Sequence, residues 1–207
     1  MSQIQWVVFD LGGVLIDWNP RYAYRRLDAD DEKIEIFLRD VATSAWNSQM
    51  DAGTLFQAAI DQRILEHPEW KDWLQLWRYD WPTMLRGPIN DAVDVFESVV
   101  SKRESGSLKG LYALSNWEAN TIKIARARFG FLSRFDAKLI SGEEKLIKPD
   151  PRFFSLLESR FGVDPKKTLF IDDLQSNTKV AESLGFQTHV FKNATLLQNE
   201  LRRLGVL

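Results

Sequence analysis

Asp10 stands at the end of an apolar run, Trp6-Val7-Val8-Phe9, and opens a turn that contains Gly12 and Gly13. A carboxylate placed there is costly unless it meets a cation or hydrogen-bond donors. Ser115-Asn116 follow a second apolar run at 110–114, and Asp172-Asp173 follow a third at 168–171. Lys148 lies in a loop ahead of a helix that Asp150 and Pro151 would start. Carboxylates, an ammonium and a hydroxyl beside a helix N-terminus suit divalent-metal chemistry on a phosphate. Oxygen donors favour Mg²⁺, and the absence of Cys together with only two His argues against zinc.

The elements that must bring these groups together can be read from the periodicity. Short runs rich in Val, Ile, Leu and Phe, with no polar alternation, belong in a parallel sheet covered on both faces. Strands are expected at 6–9, 110–114, 137–140, 168–171 and 187–191, separated by helices at 91–102, 116–129, 151–161 and 174–184 and followed by an amphipathic helix at 195–204. Such alternation predicts an α/β, Rossmann-like core with right-handed crossovers, so all strand carboxyl ends lie along one edge. Residues 18–87 have a different texture: helical spacing at 31–38, 55–65 and 69–79, Gly53-Thr54 as stop and cap, and no strand-like alternation. This segment reads as an all-helical cap inserted into a core formed by 1–17 and 88–207.

A chain of 207 residues with 44% hydrophobic and 27% charged residues fits a single soluble domain carrying an insertion. The net charge of −2 offers no steering toward nucleic acid or a membrane surface. Without Cys there is no disulfide, thiolate site or thiol nucleophile. The first apolar run is interrupted by Asp10 and has no basic leader, so neither a signal peptide nor a membrane span is expected, and the cytoplasm is the default compartment. Several residues have plainer readings. Trp70, Trp73 and Trp77 fit a cap core better than a stacking platform. Arg21, Arg25 and Arg26 fit the surface, His67 a loop, and Ser115 and Glu118 a capping box.

The motifs taken in order resemble those of the haloacid dehalogenase (HAD) superfamily of hydrolases. Phe-Asp-Leu-Gly-Gly-Val-Leu at 9–15, Ala-Leu-Ser-Asn at 113–116, Lys-Pro-Asp-Pro-Arg-Phe-Phe at 148–154 and Phe-Ile-Asp-Asp-Leu-Gln-Ser-Asn at 170–177 carry the resemblance over nearly the whole chain. Within the superfamily, the opening motif and Gln49-Met50-Asp51-Ala52-Gly53 are most similar to bacterial sugar-phosphate phosphatases of the α-D-glucose-1-phosphatase kind. The resemblance implies that Asp10 is the nucleophile of an aspartyl-phosphate mechanism. Ser115 and the backbone N–H of Asn116 would bind the phosphoryl group, and Lys148 would neutralise charge. Mg²⁺ would be bound by Asp10, Asp172, Asp173 and the Gly12 carbonyl. The expected substrate is a small phosphorylated metabolite, with sugar phosphates among the candidates.

One position departs from the pattern. Active phosphatases of this superfamily usually carry a second Asp two residues after the nucleophile, as the general acid and base. Here Gly12 occupies that place. Loss of such help typically costs about 10²–10⁴-fold. Asp17 is no obvious replacement. Two further readings therefore stand beside the phosphatase: a weak or silent relative that binds a phosphorylated ligand, and a metal-free 2-haloacid dehalogenase. The Asp172-Asp173 pair opposes the latter, because without a metal it repels an anionic substrate.

Overall fold

The computed structural model describes residues 4–27 and 30–207. In chain order it contains β1 (Trp6–Phe9), β2 (Ile16–Trp18), α1 (Arg21–Arg25), α2 (Asp31–Ile36), α3 (Ser44–Asp51), α4 (Phe56–Glu66), α5 (Lys71–Tyr79), β3 (Leu85–Pro88) and α6 (Asn90–Glu104). It continues through β4 (Gly110–Ser115), α7 (Thr121–Arg128), β5 (Ala137–Ile140), α8 (Ser141–Glu144), α9 (Pro151–Phe161), β6 (Thr168–Asp172), α10 (Gln175–Ser183), β7 (Gln187–Val190) and α11 (Ala194–Arg203). Five strands form a sheet in the order β5-β4-β1-β6-β7, parallel throughout.

The four residues of β1 are all buried, because this strand lies at the centre of the sheet with a parallel neighbour on each side. Their side chains divide by the period of two. Val7 and Phe9 join the core shared with α6 and α11, where Phe9 meets Phe96 edge-on at 5.6 Å. Trp6 and Val8 join the opposite core with Phe153, Phe154 and Phe170. Apolar demand on both faces explains why the strand shows no alternation. Helix boundaries follow local chemistry. Asp150 accepts from the Arg152 N–H ahead of Pro151 and caps α9, which ends at Gly162 in the left-handed conformation. Asn193 accepts from the Leu196 N–H and caps α11.

Three local expectations are corrected. The segment 18–87 is not wholly helical: β2 and β3 pair antiparallel, with Ile16 opposite Pro88 and Trp18 opposite Leu85. Strands of three and four residues, one containing Gly87 and Pro88, are too short to show alternation. Thr54 does not cap α4, whose N-cap position is Leu55 with no side-chain bond. The loop expected at 141–148 begins with a single helical turn, α8.

The helices between β2 and β3 are held together by aromatic packing. Trp73 stacks on Tyr24 at 4.7 Å, Trp70 and Trp73 both pack on Phe37, and Trp77 is fully buried. The Tyr24 hydroxyl donates to the Trp73 carbonyl. Trp77 is core and Trp70 and Trp73 are partly buried against it, which fits their helical spacing. Arg21 and Arg25 pair with Glu35 and Asp31 at the surface. Among the described residues no helix is long and apolar enough to cross a membrane.

Candidate active site

The parallel register sets the positions of the chemistry. Phe9 lies opposite Ala113 on β4 and Ile171 on β6, so the residues just beyond, Asp10, Ser115 and Asp172, meet at one sheet edge. The Asp10 N–H donates to the Ile171 carbonyl at 2.8 Å, extending the ladder by one residue. Asp10 Oδ1 accepts from the Leu11 N–H at 2.7 Å and from Ser115 Oγ at 2.6 Å. Asp10 Oδ2 pairs with Lys148 Nζ at 3.0 Å. The same ammonium reaches Asp172 Oδ2 at 2.7 Å. Asp172 also accepts from the Leu174 N–H and from Asn177 Nδ2. Asp10, Ser115, Lys148 and Asp172 are all buried, and Asp173 is half-buried.

Buried charge shapes the protonation of this cluster. Burial pushes the Asp10 carboxyl up to about 7; the Lys148 ammonium opposes this, and Asp172 adds to it. Burial works against the Lys148 ammonium, yet Asp10 and Asp172 outweigh that cost and hold it above the ordinary lysine value. Asp173 is also raised, first by burial and then by Asp172.

Oxygens of Asp10, Asp172 and Asp173 lie within 4.8 Å of one another, close enough to share one ion. When ionised, these three carboxylates beside a single ammonium leave two negative charges, the charge that one divalent cation carries. An all-oxygen donor set suits a hard cation such as Mg²⁺. The residues present therefore fit the metal that the resemblance implies.

The two glycines of the opening turn differ in what they permit. Gly13 adopts φ +74°, and a Cβ there would stand 2.5 Å from Asp173 Oδ2. The left-handed backbone and the carboxylate both exclude a side chain. We expect Gly13→Ala to cost about 1–2 kcal/mol from the backbone alone, and to weaken Mg²⁺ binding by displacing Asp173; isothermal titration with Mg²⁺ checks this. At Gly12 a Cβ would meet nothing within 4 Å, so space for a side chain exists where none is present.

Sequence reasoning assigned Ser115 and Asn116 only part of what they do. Ser115 does not close a capping box with Glu118. Its hydroxyl goes to Asp10, while Glu118 accepts from the Asn120 and Thr121 N–H groups and starts α7 three residues later. A long-range carboxylate outcompeted the local partner. The Asn116 side chain holds the Lys148 backbone on both sides, donating to its carbonyl at 2.9 Å and accepting from its N–H at 2.8 Å. Asn177, which positions Asp172, had a signal in the sequence, since it closes the last motif one turn into α10. Asp17 accepts from the Tyr22 hydroxyl.

Beside Gly12 lies a cleft of about 90 Å³, room for several waters. Its walls include Trp18, Phe56, Trp81 and Trp117. Two acidic residues, Asp51 at the end of α3 and Glu118, also line it. Periodicity carried no signal for these residues, because they are contributed by elements far apart in the chain.

Comparison with known proteins gives consistent results. A profile of the family described as haloacid dehalogenase-like hydrolase matches residues 4–185. Over 55 residues, 27% of this chain, the sequence is 47% identical to Acyl-CoA dehydrogenase family member 10 of Mus musculus, and it spans 5% of that protein's length. It is 25% identical over 205 residues to Phosphorylated carbohydrates phosphatase of Thermotoga maritima, covering 87% of this chain and 82% of that one. The fold is similar to that of a mutant HAD family enzyme from Bacteroides thetaiotaomicron, solved in complex with magnesium and inorganic phosphate. The TM-score is 0.69 at 24% identity, over 91% of this chain and 94% of that one.

Proposed function

Because this chain belongs to the haloacid dehalogenase-like hydrolases, we propose that it is a Mg²⁺-dependent phosphatase of a small phosphorylated metabolite, with residues 18–87 as its cap. The observation that carries this reading is the convergence on Asp10. Two donors and an ammonium orient its carboxylate, and Asp172 and Asp173 stand beside it. A carboxylate so held is a candidate nucleophile toward phosphorus, forming an aspartyl-phosphate that water then cleaves.

The roles of the surrounding residues follow from their charge and reach. Lys148 offsets the repulsion between Asp10 and an anionic phosphoryl group. Ser115 and the Asn116 N–H, at the carboxyl end of β4, would bind phosphoryl oxygens, and the Asn116 side chain keeps Lys148 in place. Asp10, Asp172, Asp173 and the Gly12 carbonyl would hold Mg²⁺, which supplies neutralising charge for the phosphoryl oxygens.

A sugar phosphate is the favoured substrate class on the likeness to a phosphatase of phosphorylated carbohydrates. The test is phosphate release from a panel of sugar phosphates and 4-nitrophenyl phosphate, with Mg²⁺ or with chelator. Release that requires the cation is expected. Absence of turnover together with tight, cation-dependent phosphate binding would replace this reading with that of a silent binder. Halide release from a 2-haloacid in chelator would replace it with a dehalogenase.

A further inference from the structure

Gly12 leaves the phosphatase reading without its usual proton donor, and two acidic residues, Asp51 and Glu118, line the cleft beside it. Glu118 is occupied: its carboxylate accepts from the Asn120 N–H, the Thr121 N–H and Asn120 Nδ2, which ties it to the start of α7. Asp51 is held differently. It accepts from Asn47 Nδ2 at 3.0 Å and from the Glu118 backbone N–H, and it lines the same cleft as Gly12, Asn116 and Trp117. Asp51 and the side-chain space that Gly12 leaves open thus border one cleft.

We propose that Asp51 is the general acid and base of this enzyme, performing from the cap the proton transfers that a side chain at position 12 would otherwise perform. The inference rests on the phosphatase reading above. Burial, then the Glu118 and Asp10 charges, push the Asp51 carboxyl up to about 7, so both of its protonation states are available near neutrality, as such a role requires.

The two half-reactions balance. As Asp10 bonds to phosphorus, the P–O bond to the leaving group breaks, and its electron pair on oxygen takes the proton of the Asp51 carboxylic acid, releasing an alcohol. The Asp51 carboxylate then takes a proton from water as the water oxygen bonds to phosphorus. The P–O bond to Asp10 breaks, returning the Asp10 carboxylate and releasing inorganic phosphate.

The decisive readout is dependence on the leaving group, which a merely structural role would not alter. Asp51→Asn keeps the carbonyl that accepts from the Glu118 N–H but cannot donate an acidic proton. It is expected to lower kcat/KM for an alkyl phosphate such as glycerol phosphate by about 10²–10⁴-fold, and to lower it far less for 4-nitrophenyl phosphate, whose leaving group needs no proton. Adding Gly12→Asp to Asp51→Asn is expected to recover alkyl phosphate turnover. An equal loss on both substrates, or no loss, overturns the assignment while leaving the phosphatase intact. A wild-type protein that releases phosphate from neither ester overturns the phosphatase reading itself. Should Asp51→Asn fail to fold, esters graded in leaving-group basicity decide the question on the wild-type protein. A shallow dependence of kcat/KM is expected, and a steep one overturns the proposal.

Discussion

Asp10→Asn is expected to abolish phosphate release, lowering kcat by roughly 10⁴–10⁶-fold, the range seen when a covalent nucleophile is lost. The amide is isosteric with the carboxylate, so its carbonyl can still accept from the Leu11 N–H and Ser115 Oγ, the two donors that orient Asp10 Oδ1. What disappears is the negative oxygen that bonds to phosphorus. Substrate binding should persist, because Ser115, Lys148 and Asn116 remain and one charge repelling the phosphate has gone. The two measurements together are diagnostic. Steady-state phosphate release should vanish while calorimetric binding of inorganic phosphate in Mg²⁺ survives. Turnover within about tenfold of wild type would show that Asp10 does not carry the reaction.

The largest effect on stability is expected at Lys148. Its ammonium is fully buried and bridges Asp10 Oδ2 and Asp172 Oδ2. Lys148→Met keeps the chain length and most of the volume, so the loss is that of the cation alone. Removing one partner of a buried ion pair leaves an uncompensated charge and costs about 3–5 kcal/mol. That cost depends on pH with a definite sign. Burial already raises Asp10 to about 7, against an unfolded value of about 3.9, and without Lys148 it rises further. The folded protein then keeps a proton that the unfolded chain has released, so folding is favoured at low pH and stability falls as pH rises. The deficit relative to wild type should be small near pH 4 and should grow as pH rises past about 7, becoming full only above the further-raised Asp10 value of the variant. Mg²⁺ should restore part of it by binding the folded state. Urea unfolding of both proteins at the two pH values, with and without Mg²⁺, checks each point; a deficit that does not vary with pH would remove the charge argument.

Both predictions depend on residues legible from type and position. Asp10, Ser115, Lys148, Asp172 and Asp173 stand where apolar runs end or a helix begins, and a strand buried on both faces cannot retain a charged side chain along its length. Apolar content and period therefore set the strands, and parallel strands with crossover helices must bring their carboxyl ends to one edge. That edge is where the structure places Asp10, Ser115 and Asp172. The family motifs added their order and the roles that the resemblance implies, and the family itself is shown by the match over residues 4–185.

Tertiary structure decided which partner each group takes. Ser115 had a plausible local partner in Glu118, yet it bonds to Asp10, 105 residues away. Asn116 became a clamp on Lys148 and Asn177 a support for Asp172. The short β2–β3 pair formed where neither strand has a readable period. Asp51, from a different segment of the chain, came to line the same cleft as Gly12. Local propensity and periodicity report how each segment meets its own neighbours and which face it buries. They do not report distances between segments, because those arise from packing of the whole core. The opening turn shows both sides of this. The sequence by itself put a carboxylate and two glycines there, and only the folded chain separated Gly13, crowded against Asp173, from Gly12, open toward the cleft.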